Sequence, residues 1–313
     1  MEMKIERGFV VYTLGKLGKG DVFVVLHSGP QYGTYAGNKI TTPRDTGADI
    51  ISSIASEKFS SSLVFSGIPR NPFCGIDFNR LAPTPEEALR FSKARDDELK
   101  AMMDRYAWAC SDENDYNERM ALYRNFWDTV SSLGDRFFLI HVIGLKLAHI
   151  PTIMDIITFD SRGISMQKAQ ETADMMTEKF SNELEIIADY YRKAMITDYN
   201  LNFCHMWEHT PGQREWLDKD ISFLRKIGLV EEAEELEKGG MEKQRFLDIV
   251  EKVTENVELR VTVEHTFSGK KAFAPKKELL DKGKVAIEIE VSRIMQHFPD
   301  LGSEMLLYLA KLA

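Results

Sequence analysis

Cysteine is scarce: Cys74, Cys110 and Cys204 are the only three in 313 residues, scattered and odd in number. That argues against a disulfide framework, and with no Cys-x-x-Cys pair, against a thiolate metal cluster. Cys74 reads as a small buried hydrophobe rather than a nucleophile. No apolar run is long enough to cross a bilayer. The opening Met1-Glu2-Met3-Lys4-Ile5-Glu6-Arg7 has no apolar stretch of the kind a signal peptide needs. A Gly-rich phosphate loop and a Gly-x-Ser-x-Gly elbow are both missing. Positive charge is in deficit, with 40 Lys and Arg against 49 Asp and Glu, net −9. That speaks against a general nucleic-acid or membrane surface, although a local basic pocket can sit on an acidic protein. A cytoplasmic chain acting on a small molecule is the expectation.

What is present alternates between β-rich and helical patterns. Phe9 to Tyr12 and Val22 to Leu26 read as a hairpin, with glycines between them. Asp45 to Ser56 reads as a helix, Leu63 to Phe65 as a strand and Gly75 to Phe78 as a short strand. Thr84-Pro85-Glu86-Glu87 is a helix start with a capping box, and helix should run on toward Cys110. A second helix spans about Tyr116 to Val130 by apolar spacing. Phe137 to Ile143 is an almost unbroken apolar run, the mark of a central strand buried on both faces. Met154 to Phe159 reads as another strand. Residues 165–255 read as mostly helical, broken at Thr210-Pro211-Gly212 and Gly239-Gly240, with Glu231 to Lys238 a solvated face. Strands return at Val257 to Glu264 and Val285 to Val291. The pattern predicts a single α/β domain over 1–313, its mainly parallel mixed sheet flanked by helices, with a helical insertion at 165–255.

Two features carry chemistry. His27, in Val24-Val25-Leu26-His27-Ser28-Gly29, ends a predicted strand, and Asn79-Arg80 ends the Gly75 to Phe78 segment. A guanidinium beside an amide suits a substrate carboxylate. His141 is an ionisable ring within a buried strand pattern and must find a partner there. Singly, each histidine is more simply a loop or core residue; two strand-borne histidines raise the metal reading. Asp45 and Asp49 open a helix, where one of them serves as a cap and the other is free to complete a two-His, one-carboxylate zinc site. Glu288 and Glu290 alternate with Val285, Ile287, Ile289 and Val291, so both point to the other face, either wet or a site for a general base. His205-Met206-Trp207-Glu208-His209 has the letters of the H-x-x-E-H zinc-peptidase motif, but Pro211 follows at once.

Read in order, these segments resemble the N-formylglutamate amidohydrolase family, akin to zinc carboxypeptidases and succinylglutamate desuccinylases. His27-Ser28-Gly29 is similar to that family's Pro-His-Ser-Gly loop, with Leu26 for Pro, and Asp45 falls where the family has an aspartate. Asp77-Phe78-Asn79-Arg80 resembles Asp-Leu-Asn-Arg, and Arg70 matches the arginine before it. His141 falls on the histidine of Asp-Leu-His-Ser, with Leu139 for Asp and Val142 for Ser. Asp155-Ile156-Ile157-Thr158 resembles Asp-Ile-Val-Leu-Gly, and Phe267-Ser268-Gly269 resembles Pro-Phe-x-Gly-Gly. Ile289-Glu290-Val291-Ser292-Arg293 resembles Ile-Glu-Leu-Ser-Arg, which selects Glu290 over Glu288. Nothing in 180–255 is matched.

The resemblance implies Zn2+ held by His27, Asp45 and His141, with Glu290 as general base. It implies Arg70, Asn79 and Arg80 as the grip on the carboxylate of a small N-acyl amino acid. The orienting carboxylate that the family places two residues before the second histidine is missing at Leu139. A catalytically silent binding or interaction protein on the same fold, using 180–255 as its partner surface, is the competing expectation.

Overall fold

The computed structural model describes residues 2–13, 20–35, 38–41, 44–207, 211–270 and 274–313. Its strands are β1 (Glu2–Glu6), β2 (Phe9–Thr13), β3 (Asp21–Val25), β4 (Tyr32–Tyr35), β5 (Asn38–Thr41), β6 (Ser62–Ser66), β7 (Arg136–Ile143), β8 (Thr152–Ile157), β9 (Arg260–Val263) and β10 (Val285–Ser292). Eight of them form one sheet in the order β1-β2-β6-β3-β7-β10-β8-β9, while β4 and β5 pair separately. The middle strands β6, β3, β7 and β10 run parallel, and β2 and β8 flank them antiparallel. The expected mixed, mainly parallel α/β sheet is what forms.

Apolar alternation decides the layers. On β7, Phe137 and Leu139 face one core while Phe138 and Ile140 face the other. The first core is closed by α4 (Glu113–Leu133) through Tyr123, Phe126, Trp127 and Val130. The second is closed by α1 (Ala48–Phe59) and α11 (Pro299–Leu312). It is extended by the helices between β8 and β9: α5 (Met166–Lys179), α6 (Ser181–Asn202), α7 (Pro211–Lys226), α8 (Val230–Glu237) and α9 (Lys243–Thr254). The charge run falls on α8, which buries only Ala233 and Leu236. No helix among the described residues is long and apolar enough to cross a membrane.

Three local expectations are corrected. The Phe9 to Tyr12 strand does not form a hairpin with Val22 to Leu26: β2 pairs with β1 and β6, and β6 lies between β2 and β3. The burial pattern explains it. Val22 to Val25 are buried on both faces and need two strand neighbours, whereas β2 is only half buried and belongs nearer an edge. Gly75 to Phe78 is no strand. A Cβ at Gly75 would lie 1.8 Å from the Pro69 carbonyl oxygen, so the chain doubles back there and closes a turn with Arg80 N–H donating to Asp77 C=O at 3.0 Å. Helix does not run on to Cys110. The capping box starts α2 (Pro85–Phe91), but extended Arg95 and a positive φ of 50° at Asp96 separate it from α3 (Asp96–Arg105). The last short helix is α10 (Ala274–Glu278).

Candidate metal centre

His27 follows β3 at the carboxyl edge of the sheet. The chain then makes an excursion that includes the β4–β5 hairpin, and returns so that Asp45 N–H donates to the His27 carbonyl at 3.0 Å. Gly29 allows the exit: a Cβ there would lie 1.9 Å from the Ile68 carbonyl oxygen. The N-cap of α1 is Gly47, with no side-chain cap, so the Asp45 carboxylate is not used in capping. Asp49 turns outward instead, paired with Arg44 at 2.8 Å.

β7 lies beside β3 in parallel register, Val24 opposite Leu139, which brings His141 to the same edge. His27 and His141, 114 positions apart, meet with their Nδ1 atoms 3.0 Å apart. Asp45 Oδ2 lies 3.1 Å from each of those nitrogens. All three side chains are buried. They form the one group among the described residues whose donor atoms converge as metal ligands. Two ligands of a tetrahedral zinc at 2.0–2.1 Å stand about 3.3 Å apart, so this triangle is close to one face of such a site. The donor set fits a divalent metal ion.

Asp77 completes the first histidine. Its Oδ1 lies 2.9 Å from His27 Nε2; an ionised carboxylate only accepts, so Nε2 donates to it, and with a metal bound Nδ1 would be the ligand atom. Burial and Arg70 disfavour charge on His27, but Asp77 and Asp45 outweigh them and its pKa is raised. Burial likewise disfavours the two carboxylates. His27 between them, with His141 at Asp45 and Arg80 and Arg70 at Asp77, nevertheless holds both well below the ordinary range. Without a cation, one proton shared over His27 would do part of the metal's electrostatic work.

Glu290 stands directly across from His141 in the β10–β7 register, and Glu288 across from Leu139. Their face is not wet: the residues are 6% and 2% exposed. Burial first, then Glu288 and Asp45, push the Glu290 pKa well up, against His141 and Arg70. A carboxyl group whose pKa is raised above the ordinary carboxylate range is a stronger base when ionised, the tuning that general acid–base chemistry uses. Glu288 instead accepts from Asn79 Nδ2 at 3.4 Å. Arg70, its side chain 31% exposed, stands 3.5 Å from Asp77 and 3.9 Å from Asp45. Arg80 Nε is 4.0 Å from Asp77. Arg70, Asn79 and Arg80 therefore gather at the same centre, already held by its carboxylates.

Asp77 was legible only as the first letter of a motif; nothing in its spacing tied it to His27. His141 Nε2 is buried with no hydrogen-bond partner among the described residues, which agrees with the missing carboxylate at Leu139. His205 is exposed in a 3₁₀ turn after α6, and Glu208 and His209 lie outside the described residues. Comparisons with protein-family models, with curated proteins and with solved structures returned no match.

Proposed function

We propose that this protein is a metal-dependent amidohydrolase that cleaves the N-acyl amide of a small acidic amino acid. The observation that carries the reading is the buried triangle of His27 Nδ1, His141 Nδ1 and Asp45 Oδ2, with edges of 3.0–3.1 Å, next to a carboxyl with a raised pKa. His27, His141 and Asp45 would hold the ion, and imidazole with carboxylate favours zinc. A bound divalent cation supplies Lewis acidity there, making water nucleophilic near neutral pH and opposing charge on the acyl oxygen. Glu290 takes the proton of the attacking water and returns it to the leaving amine. Asp77 holds the His27 ring and fixes its tautomer. Arg80 and Asn79, with Arg70 at the rim, grip the carboxylate of the amino acid, the planar fork matching its two oxygens. The substrate class follows from the family resemblance and this basic cluster, not from the triangle.

His141 Nε2, without a hydrogen-bond partner among the described residues, favours a second reading, a catalytically silent ligand-binding protein on the same fold. A panel of N-formyl, N-acetyl and N-succinyl amino acids, acidic and neutral, assayed with zinc-loaded protein separates the two. We expect turnover of acidic members, a loss of about 10²- to 10⁴-fold in Glu290→Gln with metal content retained, and a mild effect in Glu288→Gln. Full activity in Glu290→Gln would rule out the assigned base. No turnover by fully loaded wild-type protein would leave the silent reading.

A further inference from the structure

Arg70 is carried by a loop that is packed between two segments of the metal centre. A Cβ at Gly29 would lie 1.9 Å from the Ile68 carbonyl oxygen, and one at Gly75 1.8 Å from that of Pro69. Gly29 stands two residues after His27 and Gly75 two residues before Asp77, so the residues just before Arg70 touch both strands of chain that supply the site. Hydrogen bonds fix the loop there. The Ser28 hydroxyl donates to the Ser66 carbonyl at 2.8 Å, and Ile76 N–H donates to the Pro69 carbonyl at 3.0 Å. From α4, the Arg119 guanidinium donates to the carbonyls of Pro72, Phe73 and Gly75 at 2.6–3.2 Å. The backbone beneath Arg70 is thus held from three sides.

Its guanidinium closes a ring of charge around His27. Asp45 and Asp77 each turn one oxygen to the His27 ring and the other to Arg70. On the histidine side, Asp45 Oδ2 is 3.1 Å from Nδ1 and Asp77 Oδ1 is 2.9 Å from Nε2. On the arginine side, Asp45 Oδ1 is 3.9 Å from Nη1 and Asp77 Oδ2 is 3.5 Å from Nε. The two carboxylates do not depend on Arg70 equally. Asp77 Oδ1 also accepts from Asn79 N–H at 3.0 Å, and Arg80 Nε stands 4.0 Å from Oδ2. For Asp45, Arg70 is the one arginine or lysine within ion-pairing distance among the described residues. The Asp45 oxygens are therefore divided: Oδ2 belongs to the triangle, 3.1 Å from both Nδ1 atoms, and Oδ1 faces a fixed positive charge.

A catalytic zinc takes three protein ligands and keeps a fourth position for water or substrate. A carboxylate can instead bind a cation through both oxygens and so fill that position. We propose that Arg70 is a positioning residue that keeps Asp45 to one ligand oxygen, Oδ2, and so leaves a coordination position open. The guanidinium competes for Oδ1 and its charge opposes the ion nearby. Both effects weaken metal binding, and both keep the site open. This task is separate from any hold on a substrate carboxylate. It rests on the metal reading of the triangle and not on the hydrolase reading.

Zinc affinity by chelator competition, and the number of oxygen ligands by X-ray absorption at the zinc edge, test it with no substrate present. Arg70→Met should bind zinc more tightly than the wild type by about 10- to 100-fold, the size of effect that residues behind the ligands have on metal affinity. Asp45 should then contribute both oxygens in place of one. Arg70→Lys keeps the charge without the planar fork and should fall between the two. Unchanged affinity in a folded Arg70→Met overturns the assignment, as a residue that only grips substrate would leave zinc binding alone. Weaker binding overturns it too, since a purely supporting residue would give that result. If Arg70→Met does not fold, Arg70→Lys decides, and affinity equal to or below wild type there overturns it. His141→Ala run alongside separates the two readings. Zinc binding that survives in His141→Ala removes the metal centre and the assignment with it. Zinc binding that depends on His141 but not on Arg70 removes the assignment alone.

Discussion

A histidine that binds metal through Nδ1 needs a partner for its Nε2 proton, and Asp77 provides one for His27 at 2.9 Å. Asp77→Asn keeps the shape and loses the charge. Removing such an outer partner costs about 10- to 100-fold in metal affinity, and we expect that loss in a chelator competition assay. Zinc affinity equal to wild type would show that Asp77 serves only the local turn. The raised pKa of His27 adds a pH dependence. Below that pKa the metal must displace a proton, so affinity should fall about tenfold for each unit of pH; above it the dependence should flatten. A flat profile from pH 6 to 8 would mean that His27 is not a ligand. In the metal-free protein the sign for stability is set by the same proton. His27 contributes stability below about 6.5, its unfolded pKa, and loses it as pH rises through the higher folded value.

At the scale of elements, His149 and its turn give a test of the docking of the helical region. Its pKa is lowered from 6.5 to about 4 in the fold. Above about pH 6.5 neither state is protonated and the group has no effect. Between there and pH 4 only the unfolded chain takes up the proton, so stability falls, by roughly 3 kcal/mol in all. Below about pH 4 the folded state is protonated too and this loss levels off. His149→Gln should remove most of that decline in urea unfolding measured at pH 7 and pH 4.5. A parallel decline in both proteins would mean that His149 is not buried as a neutral ring. Asp45 and Asp77, with lowered pKa values, lose their contribution only as pH falls below about 4.

The elements also mark how far the sequence could be read. Phe137 to Ile143 declared a strand buried on both faces, and β7 is one. Thr84 to Glu87 declared a helix start, and α2 begins there. His27, Asp45 and His141 were singled out by residue type and order, and they do converge. What stayed hidden depends on close approach between distant segments. The partner of β2 was decided by β6, more than fifty residues on, and local turn glycines could not announce it. The turn at Gly75 follows from a backbone contact with Pro69 that leaves no periodic trace. The Asp77 carboxylate against the His27 ring, and the Tyr199 hydroxyl and Asp220 carboxylate against the backbone N–H groups of Leu147 and Ala148, are contacts that only the folded chain brings together.

For the whole molecule, four buried carboxyl groups, Asp45, Asp77, Glu288 and Glu290, meet at one sheet edge with two imidazoles and the guanidinium groups of Arg70 and Arg80. An uncompensated buried charge costs several kcal/mol, so a stable arrangement needs either protons on these groups or a cation among them. A divalent ion held by His27, Asp45 and His141 would supply that charge and, in the proposed hydrolase, the reaction as well. The lowered pKa values of Asp45 and Asp77 keep two carboxylates ionised for it, and the raised pKa of Glu290 keeps a proton-transfer group beside it. Anomalous scattering at the zinc edge from crystals of zinc-loaded protein tests this most directly. The account requires one strong peak per chain, with His27 Nδ1, His141 Nδ1 and an Asp45 oxygen each about 2.0–2.2 Å away, absent in crystals of His141→Ala. A fully occupied peak elsewhere, such as at His205, or no peak in fully loaded protein, would contradict it.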